Sequence, residues 1–415
     1  MVQPDIENVD HISSIRSWIR NALLNLVIVA GLGLVMRYKI AYSLPFIDQK
    51  NFLHAHSHFA FSGWITQALM ILLIGNLSKC AGTKIILRYK WVLLLNLIAA
   101  YGMLFSFPFQ GYGIISTTFS TFSIFVSYAF GIMYWKDLNE LPGYKMSSLW
   151  FKAALVFNGL SSLGPFSLAI MMATKTIHQN WYLESIYFYL HFQYNGWFFF
   201  ACMGLLIEKL DPLNVFAKKY KIIFNMFLFA CVPAYFLSVL WLTLPTGIFI
   251  IVLVSALIQV VALFLNVQIL IVTKSFNRIT NPVTRKLFIL AGIALSIKIL
   301  LQLVSIIPSI SHLAFGFRPI VIAYLHLVLL GVFTIFILGY IVSENYIDIN
   351  KKMIIGMVIF IGGIILNEIV LMSQGIADLF YVYLPYSNQS LLIAAAILFC
   401  GILLINFSQK KKFRI

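Results

Sequence analysis

The sequence holds 415 residues, of which 61% are hydrophobic and only 10% are charged, and its mean hydropathy is +0.94. Soluble globular proteins carry about 25% charged residues, so this composition excludes a soluble enzyme, a disordered chain and a disulfide scaffold. We therefore expect a protein of the lipid bilayer. The four cysteines are far apart and form no CxxC or CxxCH motif, so neither a redox dithiol nor covalently attached haem is indicated.

Hydropathy predicts an all-α integral membrane fold with twelve transmembrane helices, because a run of about 20 apolar residues crosses a hydrocarbon core of about 30 Å. The predicted spans cover roughly residues 18–38, 52–76, 87–107, 112–135, 149–173, 181–207, 221–243, 246–273, 285–308, 320–343, 352–374 and 390–408. The connections are short, so residues 1–415 are predicted to form a single polytopic membrane domain.

The net charge of +16 is explained by topology. Of the 29 Lys and Arg residues, 23 lie in the N-terminal tail, around the loops that follow even-numbered spans or in the C-terminal segment, including Lys410, Lys411 and Lys412. By the positive-inside rule, both termini are then cytoplasmic in a multi-pass inner (cytoplasmic) membrane protein. The basic excess also attracts anionic lipid heads, and it needs no nucleic-acid partner.

Histidines dominate the ionisable groups inside the predicted spans, and such groups are functional candidates because burying them in lipid is expensive. His54, His56 and His58 open the second span, His191 lies in the sixth and His326 lies in the tenth. A neutral imidazole is the commonest metal ligand and an axial ligand of haem iron. The alternative role for each is an interhelical hydrogen bond or contact with interfacial water.

Three of these histidines begin a repeated pattern. The segments HFAFSG, HFQYNG and HLVLLG, starting at His58, His191 and His326, each place Gly five residues after His. The histidines are 133 and 135 residues apart, which is close to one third of the chain. The simplest interpretation is three diverged four-helix modules, at about 1–145, 146–280 and 281–415, around a pseudo-threefold axis.

Spacing also separates the three histidines of the second span. His54 and His58 are four residues apart and share a helical face, so they can chelate a small metal ion as an alternative to holding haem. His56 is expected to point to a different face of the helix.

Twelve helices in three modules, with histidines on helices 2, 6 and 10, resemble the catalytic subunit (subunit I) of the haem-copper oxidase and nitric oxide reductase superfamily. The resemblance implies a low-spin haem b with two axial ligands, His326 and His58, or in place of His58 its neighbours His54 or His56. It also implies a copper or non-haem iron site that begins at His191, with His56 as a further metal-binding candidate. The family places Tyr or Glu four residues after the histidine of helix 6, where this chain has Asn195.

Two features depart from the family pattern. The family carries His-x-His on helix 10, and Tyr324 stands in the first position here. The family also has two adjacent histidines on helix 7, whereas residues 221–243 contain none. A three-histidine copper centre facing a histidine-ligated high-spin haem therefore cannot be assembled in the usual way. Tyr324 is either a haem ligand, as tyrosinate is in some haem proteins, or a packed aromatic residue.

Other polar residues have two interpretations each. Glu184 lies on the same helical face as His191. It either carries protons or binds a cation, or it is an interfacial carboxylate in water. Arg318 either pairs with haem propionates or snorkels to the interface. Lys298 and Glu368 form either a buried ion pair or part of a proton path.

The sequence leaves functions of different classes open. The first is a redox or gas-handling protein of O2 or NO chemistry, which as an enzyme would be an oxidoreductase of the cytochrome oxidase or nitric oxide reductase type. Quinol or a separate cytochrome would then donate its electrons, because the chain has no donor domain. The alternatives are a proton-coupled secondary transporter, since twelve helices are common in transporters, or a non-catalytic haem or copper sensor or NO-response protein.

Overall fold

The described part of the chain is mainly helical. The computed structural model describes residues 6–82, 84–141 and 145–409, without the side chains of residues 6–13 and 312–314. These described residues contain no strand. The predicted all-α class is therefore confirmed, while Lys410, Lys411 and Lys412, which contribute to the predicted orientation, lie outside the described residues.

The long helices follow one another with short connections. In chain order they are α1 (Ile6–Ala41), α2 (Gln49–Ala81), α3 (Ile85–Gln110), α4 (Ile114–Glu140), α5 (Met146–Thr174), α6 (residues 179–210), α7 (Ala217–Cys231 continued by the 3-10 helix Pro233–Val239), α8 (Thr246–Val272), α9 (Pro282–Val304), α10 (Arg318–Ser343), α11 (Lys351–Leu379) and α12 (Ser387–Phe407). A shorter helix, Pro308–Gly316, precedes α10.

Contacts group these helices into two compact units. One consists of residues 1–137 and 337–415, and the other of residues 138–336. In the first unit, α11 packs along α12, and α12 packs on α1. In the second unit, α5 packs on α6, and α7 packs on α8.

The helices identify a multi-pass membrane protein. Among the described residues, ten helices are long and apolar enough to cross a bilayer, and the bent helix α7 would make an eleventh. Helix α6 is long enough but does not meet the same hydropathy criterion, because His191, Gln193 and Asn195 interrupt its apolar run. The count of twelve spans and the side of the termini stay predictions.

Each of the three repeated histidines stands immediately before a π-helical segment. These segments are Phe59–Thr66 after His58, Phe192–Phe198 after His191, and Leu327–Thr334 after His326. They account for all π-helix in the described chain. π-Helix makes up well under 1% of residues in ordinary proteins and is frequent at functional sites. The three segments that share a sequence pattern therefore also share an uncommon backbone conformation.

The π-helical segments also have equivalent packing partners. The segment in α2 packs on α1, the segment in α6 packs on α5, and the segment in α10 packs on α9. In each predicted module, the second helix therefore contacts the first helix through its π-helical part. Gly196 makes this approach close in α6, because a Cβ atom there would lie 2.5 Å from the Cβ of Phe157.

A glycine turn at the end of α3 brings Tyr112 towards α2. Gly111 has φ +56° and ψ −133°, and its N–H donates to the Phe107 carbonyl at 2.9 Å. A Cβ atom at this position would lie 2.7 Å from the Oδ1 of Asn51. Both the backbone conformation and the close approach therefore require glycine.

We expect Gly111→Ala to lower the free energy of unfolding by about 1–3 kcal/mol, because alanine is strained at this positive φ and collides with Asn51. Thermal unfolding of the purified protein in detergent measures the change. Gly292→Ala is the matched control, since a Cβ built at Gly292 has no atom of the described residues within 4 Å apart from its chain neighbours and its own helix backbone. Equal melting temperatures for the two variants would contradict the expectation.

Candidate functional site

In the first unit, His54 and His58 lie on one face of α2 against two aromatic rings. The His58 ring stacks on Phe107 with centroids 4.5 Å apart, and its Nε2 lies 3.1 Å from the Tyr112 hydroxyl. The His54 ring meets Tyr112 edge-on at 4.6 Å. The Nε2 atom of His54 is buried and has no hydrogen-bond partner among the described residues. The predicted shared face is confirmed.

His56 points away from that face, as its spacing predicts. Its Nδ1 lies 3.1 Å from the Val29 carbonyl of α1. Because a carbonyl only accepts hydrogen bonds, Nδ1 carries the proton and Nε2 carries the lone pair. His56 thus bonds α1, whereas His54 and His58 contact residues from the end of α3.

In the second unit, His326 is oriented by its own helix. Its Nδ1 lies 2.8 Å from the Ile322 carbonyl one turn earlier, so Nδ1 carries the proton and Nε2 the lone pair. This arrangement is common in metal-binding histidines, because the second hydrogen bond fixes the tautomer. Arg318 is exposed at the start of α10.

His191 is fully buried in α6, and it bonds a carbonyl made available by the break in α7. Its Nε2 lies 2.9 Å from the Cys231 carbonyl. Pro233 ends the α-helix after Cys231 because proline has no N–H to continue the ladder, and the two parts of α7 meet at 47°. The Tyr235 N–H, which would reach Cys231 in a continuous α-helix, bonds Val232 instead at 3.1 Å.

Asn195 links this histidine to a buried lysine. The Asn195 Nδ2 lies 3.0 Å from the His191 Nδ1, and the Asn195 Oδ1 accepts a hydrogen bond from the Lys298 Nζ. The polarity follows from Cys231, since its carbonyl accepts from Nε2 and leaves Nδ1 as the acceptor of a neutral His191. The amide must then present its N–H to His191 and its oxygen to Lys298.

Lys298 therefore has a partner that the sequence did not predict. It belongs to α9, and 5% of its surface is accessible. Its hydrogen bond goes to Asn195 of α6, while Glu368, its predicted partner, accepts from the neighbouring Asn367 at 3.1 Å in the other unit.

A small cavity adjoins the buried network. Its volume, counted as the space that the centre of a water molecule can occupy, is about 10 Å³, which is room for roughly one water molecule. The polar side chains that line it are His191, Asn195, Gln259 and Lys298. The sequence analysis missed Gln259, although an amide in the middle of the most apolar span was a signal that could have found it.

The two remaining predicted site residues lie near this region but outside the network. Tyr324 meets Tyr194 edge-on with ring centroids 6.4 Å apart, and Tyr194 in turn meets the His191 ring at 6.5 Å. Glu184 is half-buried, and its backbone carbonyl accepts a hydrogen bond of 3.2 Å from the Tyr235 hydroxyl. Tyr324 is thus packed against an aromatic residue one turn from His191.

No group of three or more His, Cys, Asp or Glu residues that could hold a metal ion occurs in the part of the chain that the structure describes. Both ring nitrogens of His191 already take part in hydrogen bonds. The geometry brings His191 together with Asn195, Lys298 and the Cys231 thiol, which do not amount to three metal-ligating side chains.

We expect Asn195→Ala to lower the free energy of unfolding by about 1–3 kcal/mol or more, because it leaves a buried ammonium and a buried imidazole nitrogen without a partner. Unfolding of the purified protein in detergent measures the loss. Asn180→Ala is the matched control, because Asn180 is an exposed residue of the same helix. If Asn195→Ala unfolds like the control, the network does not stabilise the fold.

Neither a family model nor a curated protein matches this chain, so its function is inferred from the residues and contacts described above.

Proposed function

We propose that this chain is a haem-binding membrane protein of redox or gas chemistry, a divergent relative of haem-copper oxidase subunit I. One observation carries the proposal: the histidines at equivalent positions of α2, α6 and α10 each precede a π-helical segment that packs on the preceding helix. The equivalence also supports three modules of four helices within a twelve-helix fold. The inner membrane as the location and cytoplasmic termini belong to the same proposal.

The histidines of α2 and α10 have the donor chemistry that haem requires. His326 presents the Nε2 lone pair, because its Nδ1 proton is held by Ile322. In α2, the unpartnered buried Nε2 of His54 and the ring of His58, stacked on Phe107, are the candidate ligand atoms. Haem b would supply one-electron redox chemistry here, and gas binding where one axial position stays open.

A second metal fits less well than haem. Copper or non-haem iron at His191 would require that residue to give up its hydrogen bond to either Cys231 or Asn195. His56 would bind a metal through Nε2, since its Nδ1 bonds Val29.

The remaining residues have supporting roles in this proposal. Arg318, exposed at the start of α10, would pair with a propionate. Tyr324 and Glu184 would affect proton supply from the region around His191. Electrons would come from quinol or from a separate cytochrome. Whether the protein turns over a substrate as an oxidoreductase or responds to NO as a sensor depends on an open iron position.

A proton-coupled secondary transporter is the second candidate, and the break in α7 favours it. Transporter sites commonly form where an interrupted helix exposes backbone groups inside the membrane. Here a hydrogen-bond chain begins at the ionisable Lys298 and ends at the Cys231 carbonyl, which the break in α7 leaves without a helical N–H partner. Such a site would take up a proton or a substrate without any haem.

A reduced-minus-oxidised visible spectrum of the protein purified in detergent, with metal analysis, separates the two candidates. We expect a six-coordinate b-type signal, and we expect His326→Ala to abolish it because that variant removes one axial ligand. Single alanine variants of His54, His56 and His58 identify the second axial ligand. Carbon monoxide binding then shows whether an open high-spin position exists.

His178→Ala is the control, since His178 is an exposed residue that contacts Trp181 outside the predicted ligand set. It should keep the full signal. A folded preparation with no colour and no metal would refute haem binding and support the transporter. A signal that survives His326→Ala would refute the assignment of that ligand.

A further inference from the structure

The cavity beside His191 is lined by two side chains with N–H groups that no acceptor among the described residues satisfies. The Lys298 ammonium has three N–H groups, and it gives one to Asn195. Gln259, with 7% of its surface accessible, has a buried Nε2 without a hydrogen-bond partner among the described residues. Both side chains line the same cavity. Leaving a buried N–H without an acceptor is unfavourable, so an acceptor placed in this cavity would stabilise the fold.

When Lys298 is protonated, the site carries a positive charge with no acidic residue beside it. No Asp or Glu lines the cavity, and none of the ion pairs found in the described residues includes Lys298. The other titratable groups at the cavity are His191 and the Cys231 thiol. Removing an ammonium group from water is costly unless an opposite charge compensates it. An anion in the cavity would supply that charge and accept from Gln259 as well.

The size of the cavity limits the anion. About 10 Å³ of space for the centre of a water molecule holds one particle of roughly that size. This space suits a monatomic ion better than sulfate or phosphate. The other walls include the apolar rings of Phe199, Phe200 and Phe227. A monatomic anion, which needs donors but no directional acceptor pattern, matches this lining.

We propose that the cavity formed by Lys298, Gln259 and Asn195 binds a single halide ion, chloride under cellular conditions. Lys298 compensates the charge and donates one hydrogen bond, Gln259 donates a second through Nε2, and Asn195 holds the ammonium in place through its Oδ1. Because Gln259 lies halfway along α8, the ion is bound at mid-membrane depth. The site is independent of haem binding.

The test is the thermal unfolding of the full-length protein in detergent, with chloride or bromide replaced by gluconate at constant ionic strength. An ion that binds only the folded state raises the ratio of folded to unfolded protein about a hundredfold at a hundred times its Kd. We therefore expect the melting temperature to rise with chloride and bromide but not with gluconate or sulfate. Broadening of the chloride-35 NMR signal by the folded protein checks binding directly.

Two variants locate the site. Gln259→Glu places a carboxylate beside Lys298 as a built-in counter-charge, and it should remove both the halide-dependent shift and the NMR broadening. Lys298→Met should do the same. Lys286→Met is the matched control, because Lys286 is exposed near the start of the same helix and should leave the halide response unchanged.

Two results would overturn the proposal. Identical melting curves in chloride and gluconate, without broadening, mean that the cavity holds only water. A halide response that persists in both Gln259→Glu and Lys298→Met means that the ion binds elsewhere. If Lys298→Met does not fold, Gln259→Glu alone decides, since it preserves the size of the side chain.

Discussion

The need to satisfy backbone carbonyls inside the bilayer explains where the polar residues of this chain lie. With no water in the hydrocarbon region, every irregularity of a spanning helix must find its donors within the protein. In α2 the Gly63 carbonyl accepts from Asn25 at 2.6 Å, and in α10 the Leu329 carbonyl accepts from Thr334 at 2.8 Å. In α7 the Cys231 carbonyl accepts from His191. Asn25, Thr334 and His191 are thus polar side chains of apolar spans that bond irregular backbone.

The need to satisfy the Cys231 carbonyl fixes the tautomer of His191. An acceptor-only carbonyl fixes the proton on Nε2, which makes Nδ1 an acceptor and orients the Asn195 amide, which in turn orients Lys298. The assignment of the Asn195 oxygen and nitrogen therefore follows from the neighbouring carbonyl through hydrogen-bond polarity. One proline in α7 accordingly determines the arrangement of three side chains on two other helices.

The sequence predicted the all-helical class and a membrane protein of many spans, because hydropathy reports long apolar helices directly. It also predicted that His54 and His58 share a face, which follows from helical periodicity alone. It could not predict the π-helical segments or the approach of α9 to α6, because these depend on tertiary packing. Pro233 was a visible signal of the break in α7. The partner of the Cys231 carbonyl, however, is His191 of α6, forty residues away in sequence.

Lys298 makes the chemical surroundings of His191 different from those of His54, His58 and His326. Its Nζ is one amide away from His191, so its ammonium form would repel a cation bound there. A metal cation on His191 would meet this repulsion and would also break a hydrogen bond, whereas an anion would be attracted. Asn195 and Lys298 occupy the surroundings of His191. The same charge that disfavours a second metal therefore favours an anion, while His54, His58 and His326 keep the donor chemistry of haem ligands.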